Sequence, residues 1–105
     1  MEAKVTFDGT AVSLETDTGI SSVAWKDVDR ISVYKVDLFA VDVICMGIES
    51  GNNSLNLDED AEGWRELVEG LPEYLKGCAP FAEWFENVAF PAFDTNLFVI
   101  YERRE

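Results

Sequence analysis

The sequence predicts one α+β domain: an antiparallel sheet of six to seven strands, two helices near the C-terminus packed on it, and a final C-terminal strand. Three observations predict it. Through the first half of the chain apolar and polar residues alternate, the period of strands half buried on one face. The period then lengthens over Trp64, Leu67, Val68 and Leu71, and again over Phe81, Trp84, Phe85 and Val88, the stripe of an amphipathic helix. Alternation returns from Thr95 to Glu102. A run of strands followed by helices favours an antiparallel sheet with helices on one face or end.

Each element has its own signal. Val5 and Phe7 alternate, Asp8-Gly9 follows, and Val12 and Leu14 alternate again. Asp-Gly between alternating runs predicts a two-residue hairpin turn whose residues take positive φ. Thr16-Asp17-Thr18-Gly19 is the next turn, and Ile20 to Trp25 the third strand. Trp25, Val28 and Ile31 are spaced by three, which predicts a 3₁₀ turn tucking Trp25 beneath the next strand. Arg30 to Val36 reads as strand four and Ser54 to Leu57 as strand six. Strand five, Val41 to Glu49, is a near-continuous apolar run, the pattern of a central strand buried on two faces. Gly70 and Pro72 weaken or end the first helix, with one more turn to Lys76 and a stop at Gly77. Pro80 opens the second helix and Pro91 closes it. The last strand, with Leu97, Val99 and Tyr101 set against Phe98 and Ile100, is predicted to be buried on both faces.

Composition narrows the function. A chain of 105 residues with 48% hydrophobic residues, three Trp, seven Phe and three Tyr has the material for one core. The net charge is −13, from 21 acidic and 8 basic residues. Nucleic acids and anionic lipid surfaces are bound by Lys and Arg, so neither is an expected partner. A basic protein is the electrostatic complement. Acidity also serves solubility alone, and both readings stay open. The N-terminus lacks the pattern of a signal peptide, and no apolar run approaches the ~20 residues of a membrane span. A cytoplasmic location is expected. Cys45 and Cys78 form no CxxC pair and there is no histidine. The commonest general base and metal ligand is therefore missing, and neither catalytic residue nor cofactor is expected.

Two clusters are candidate partner sites. From Val36 to Leu75 there are ten acids and a single base, Arg65. Asp58, Glu59, Asp60 and Glu62 precede the first helix, and Glu66 and Glu69 lie within it. Acids here cap free N–H groups and meet the positive end of the helix dipole, or form a face for a partner. The spacing lacks the alternation of an EF-hand loop. The second cluster is Asp37 to Asp42, in which acids bracket Leu38 and Phe39. Either these apolar residues fold back onto the core, or they form an exposed tip of the kind that marks an interface. Tyr34 and Lys35 lie just before it.

At Trp25-xx-Val28-xx-Ile31, Tyr34-Lys35-x-Asp37, Glu59-Asp60-xx-Gly63-Trp64, Trp84 and Pro91-Ala92-Phe93-xx-Asn96, the chain resembles a family of short uncharacterised bacterial proteins. That resemblance implies no activity and assigns no functional residue. The strand-rich first half with its Trp-xx-Val also resembles bacterial pleckstrin-homology-like domains, which end in a helix where this chain is predicted to end in a strand. In size and acidity the chain is similar to immunity proteins that neutralise toxins. The expected function is a protein-interaction module whose acidic face meets a basic partner, one version being an immunity-type inhibitor of a toxin. The alternative is a small enzyme or ligand-binding protein using carboxylates in an aromatic-lined pocket.

Overall fold

The computed structural model describes residues 3–38, 41–51, 53–89 and 97–103. The elements follow as β1 (Lys4–Phe7), β2 (Ala11–Thr16), β3 (Gly19–Ala24), a 3₁₀ turn (Trp25–Asp27), β4 (Arg30–Leu38), β5 (Val41–Ser50), β6 (Asn53–Asp58), α1 (Trp64–Tyr74), α2 (Phe81–Ala89) and β7 (Phe98–Glu102). That is the order the sequence predicts. The sheet is not. The strands form two antiparallel sheets, one of three strands ordered β1-β2-β3 and one of four ordered β6-β5-β4-β7. The break falls at the 3₁₀ turn. Trp25 and Val28 are buried there, which turns the chain into the core, and β4 starts a second sheet instead of pairing with β3. Alternation in a sequence identifies a strand without naming its partner. The two helices lie between β6 and β7, so the chain closes on a strand rather than on helices.

In the four-stranded sheet β5 is central, as its apolar run predicts, yet only one face is fully buried. Ile44, Met46 and Ile48 point into the core, Val43 and Cys45 are half-buried, and Glu49 is exposed. β7 is an edge strand, paired to β4 through Ser32↔Val99 and Val33↔Phe98. A register shift between Ile31 and Ser32 leaves Ile100 as the bulged residue, and its side chain is buried. The two-face burial expected of this strand does not occur, because nothing described covers its outer side: Val99 is 41% exposed, and Leu97, just before the strand, 66%. Thr95 and Asn96 lie outside the described residues.

The first turn uses a side chain rather than unusual backbone, unlike the β2–β3 and β5–β6 turns, where Gly19 and Gly51 take positive φ. The β1–β2 turn centres on Gly9 and Thr10, one residue later than the Asp-Gly signal suggests, with the Asp8 amide bonded to the Ala11 carbonyl at 3.0 Å. Gly9 is not among the left-handed glycines. Instead the Asp8 carboxylate accepts from the amides of Thr10 and Ala11 at 2.8 and 3.0 Å, an Asx-type turn.

The core joins both sheets and both helices. α1 contributes Leu67, Val68 and Leu71, all fully or nearly fully buried, and α2 contributes Trp84. α1 does not end at Gly70 or Pro72 but runs through both to Tyr74. Pro72 gives up one helical hydrogen bond, and the packing of the apolar stripe carries the helix past it. Gly77 stands in a left-handed conformation at the stop. Pro80 precedes α2 and its carbonyl accepts from the Glu83 amide at 2.9 Å. Pro91, the expected end of that helix, lies outside the described residues.

Candidate functional site

The acidic cluster sits on a segment tied to two neighbouring strands and braced from within. Glu62 exchanges backbone hydrogen bonds with β1, its N–H donating to the Ala3 carbonyl at 2.9 Å and its carbonyl accepting from the Val5 amide at 2.8 Å. This makes a short parallel bridge between Lys4 and Glu62. On the other side the Glu59 amide donates to the Ile44 carbonyl of β5 at 2.9 Å, and the Ile44 amide donates back to the Glu59 carboxylate at 3.4 Å. The third tie is Asp58, whose carboxylate accepts from the Asp60 amide at 2.9 Å and whose carbonyl accepts from the Ala61 amide at 3.0 Å.

These contacts correct the capping expectation. The N-cap of α1 is Gly63, in a left-handed conformation, and no side chain caps the helix. A Cβ on Gly63 would come within 2.3 Å of the Val5 carbonyl oxygen, so the bridge to β1 determines how the chain enters the helix. Asp58, Glu59, Asp60 and Glu62 are spent on the turn and on neighbouring strands, or point to water.

Five of the six carboxylates are exposed: Glu59, Asp60, Glu62, Glu66 and Glu69. Against them stand two cations, Lys4 at 3.7 Å from Glu62 and Arg65 at 3.1 Å from Glu69. Both pairs are exposed, where an ion pair contributes little. Asp60 and Glu66 have no side-chain partner among the described residues. Burial pushes the Glu59 carboxyl above its ordinary value, and the neighbouring Asp60 and Asp58 add to that, while the Ile44 N–H opposes it.

Tyr34 joins this surface through the sheet. Register places Tyr34 opposite Cys45, and Cys45 opposite Asp58, so the three form a row across the outer face of β4, β5 and β6. Sequence reading missed Cys45 as a member of the row because its apolar neighbours suggested a core position. Burial raises the Cys45 thiol, helped by Asp58 and Glu59, which makes it a poorer nucleophile than a free cysteine. Burial likewise raises the Tyr34 phenol, with Cys45 adding to it. Lys35 is 2% exposed and contributes nothing to a surface. Phe39 lies outside the described residues. Asp37, Leu38 and Asp42 are placed by register alone, Asp37 opposite Asp42 and Leu38 opposite Val41, so the Asp37–Asp42 hairpin is separate in sequence and strand position from the acidic turn.

Among the described residues no group of three or more Cys, Asp or Glu side chains is placed to hold a metal ion. No described helix is long and apolar enough to cross a membrane. No family model, curated protein or solved structure matches the chain.

Proposed function

We propose that the protein binds a basic protein partner through the surface formed by Asp58, Glu59, Asp60, Glu62, Glu66 and Glu69, with Tyr34 at its margin. The observation that carries this reading is the missing cap. Acids ahead of a helix are ordinarily accounted for by its free N–H groups, and here none is used that way. Asp58, Glu59, Asp60 and Glu62 stand instead on a turn anchored to β1 and β5, so their backbone is set before a partner arrives, and preorganisation lowers the cost of binding. An immunity-type inhibitor of a basic nuclease toxin is the specific form of this reading. The Asp37–Asp42 hairpin is a second contact within the same proposal.

The test is a pull-down from the native host at low and high salt, followed by titration of the identified protein. A basic protein should bind, weaken as salt rises, and weaken about tenfold or more against Asp60→Lys/Glu66→Lys. Binding unaffected by both salt and charge reversal would sink the proposal.

The alternative, carboxylates in an aromatic-lined pocket, draws on one hollow where Glu62 and Glu66 stand beside a single ring, Phe7. The cavity walled by Trp25, Tyr74 and Tyr101 is lined, among the described residues, by cations and no carboxylate.

A further inference from the structure

That cavity lies at the far end of α1 from the acidic turn. With eleven residues the helix is about 16 Å long at ~1.5 Å per residue. The cavity is a hollow open to solvent, with a volume of about 580 Å³. Three aromatic side chains line it, and three of the eight basic residues in the sequence join them: Lys26, Lys76 and Arg103. In a chain of net charge −13 a lining with three cations and, among the described residues, no acid is the reverse of what composition alone gives.

The surrounding contacts leave the two lysines available, hold the arginine in place and fix the walls. Lys26 and Lys76 are exposed, and the side chain of neither has an ion pair or hydrogen bond among the described residues. Arg103 is positioned from behind. Its guanidinium lies 3.6 Å from the Asp29 carboxylate and donates to the Lys26 carbonyl, and its backbone N–H donates to the Asp29 carbonyl at 2.8 Å. The nearby Asp8 carboxylate is turned into its own loop. The Trp25 indole stacks on Tyr74 and its Nε1 donates to the Asp8 carbonyl at 2.6 Å, so this wall is rigid. The hydroxyls of Tyr74 and Tyr101 bond to no described residue, which leaves two O–H donors on residues that line the cavity.

We infer that this cavity binds a small organic anion, a carboxylate or phosphate ester on a ring-sized apolar body. Lys26, Lys76 and Arg103 hold the anionic group and the aromatic walls take the body. The site is independent of the acidic surface, and either proposal stands if the other fails.

The probes are phenyl phosphate and benzoate, with inorganic phosphate and benzyl alcohol as partial ligands, followed by NMR at the Trp25 indole and the amides of Lys26 and Lys76. At least one aryl anion should give saturable shifts at these positions, tighter than inorganic phosphate and benzyl alcohol, and the tighter of the two identifies the preferred head group. Lys26→Gln/Lys76→Gln should weaken it about tenfold or more, with an unchanged melting temperature because both side chains are exposed. Lys4→Gln, outside the cavity, should bind as the parent does. No saturable shift with either aryl anion, equal weakening by Lys4→Gln, or equally tight binding of benzyl alcohol or inorganic phosphate would overturn the inference.

Discussion

The indole of Trp25 lies flat on the ring of Tyr74, centroids 5.2 Å apart and planes 7° from parallel. Phe7 meets the same tyrosine edge-on at 5.6 Å. The stack joins the 3₁₀ turn to the last turn of α1, and the bond from Trp25 Nε1 to the Asp8 carbonyl ties both to the first hairpin. Trp25→Phe keeps a ring in place and removes that donor. It should destabilise by about 1–3 kcal/mol, the range for a lost hydrogen bond at a partly buried acceptor. Tyr74→Leu should cost less than Trp25→Ala, which removes the larger buried ring. Denaturant unfolding of the variants checks both.

Gly63 and Gly77 offer a controlled comparison. Both hold a left-handed backbone, with φ of 91° and 92°. A Cβ at Gly77 would meet nothing, whereas at Gly63 it would strike the Val5 carbonyl. Gly77→Ala should therefore cost only the backbone strain, about 1–2 kcal/mol. Gly63→Ala should cost that plus the clash, about 3 kcal/mol or more, and should break the bridge between Glu62 and β1. Equal losses from the two would show that the approach to Val5 is not tight.

Two carboxylates should shift stability with pH in opposite senses. The amides of Thr10 and then Ala11 hold Asp8 below its ordinary value. Its contribution is present above the unfolded carboxyl pKa of about 4 and is lost as pH falls through the lower folded value. Asp8→Ala should thus be less stable than the parent at neutral pH, the gap closing in acid. Glu59 is raised, chiefly by burial. Its relative stability is present below the unfolded pKa and lost as pH rises through the folded one. Glu59→Gln should gain on the parent as pH rises from acid to neutral. Thermal melts across that range separate the two.

The cysteines should be poor nucleophiles in the folded protein. Burial pushes Cys78 up to about 12, and Cys45 is raised by burial and its acidic neighbours. A disulfide reagent at mildly alkaline pH should leave Cys78 unlabelled until denaturant is added. Cys45 should react more slowly than a free thiol, and faster in Glu59→Gln. Rapid labelling of Cys78 without denaturant would contradict its burial.

Where structure follows local rules, the sequence announces it. The 3₁₀ spacing at Trp25 and Val28, the apolar stripe of α1, the Phe81–Trp84–Phe85 part of that of α2, and the order of elements are properties of short windows, and all appear as read. What was illegible is long-range. That β3 and β4 part company depends on Trp25 finding Tyr74, 49 positions away by their numbers, and no period encodes that. The helix entry at Gly63 is shaped by Val5, so the acids before it could not be told from caps by spacing. Lys26, Lys76 and Arg103 are scattered through an acidic chain, and only the fold gathers them. Strand β7 has the composition of a buried strand, but burial depends on what lies over it.

The pairing of Arg30 with Glu102, at 3.0 Å between side chains and in register between strands, has a consequence for synthesis. As the chain leaves the ribosome, β4, β5 and β6 are complete long before β7 exists. Through that interval the free side of β4, around Ile31 and Val33, offers unpaired amides and carbonyls to any neighbouring nascent chain, and such an edge is a template for aggregation. β7 arrives last and closes it, with the Arg103 amide bonded to Asp29 as the clasp. Chains stalled or cleaved before Phe98 should therefore accumulate in the insoluble fraction, because they expose the edge of β4 in place of that of β7.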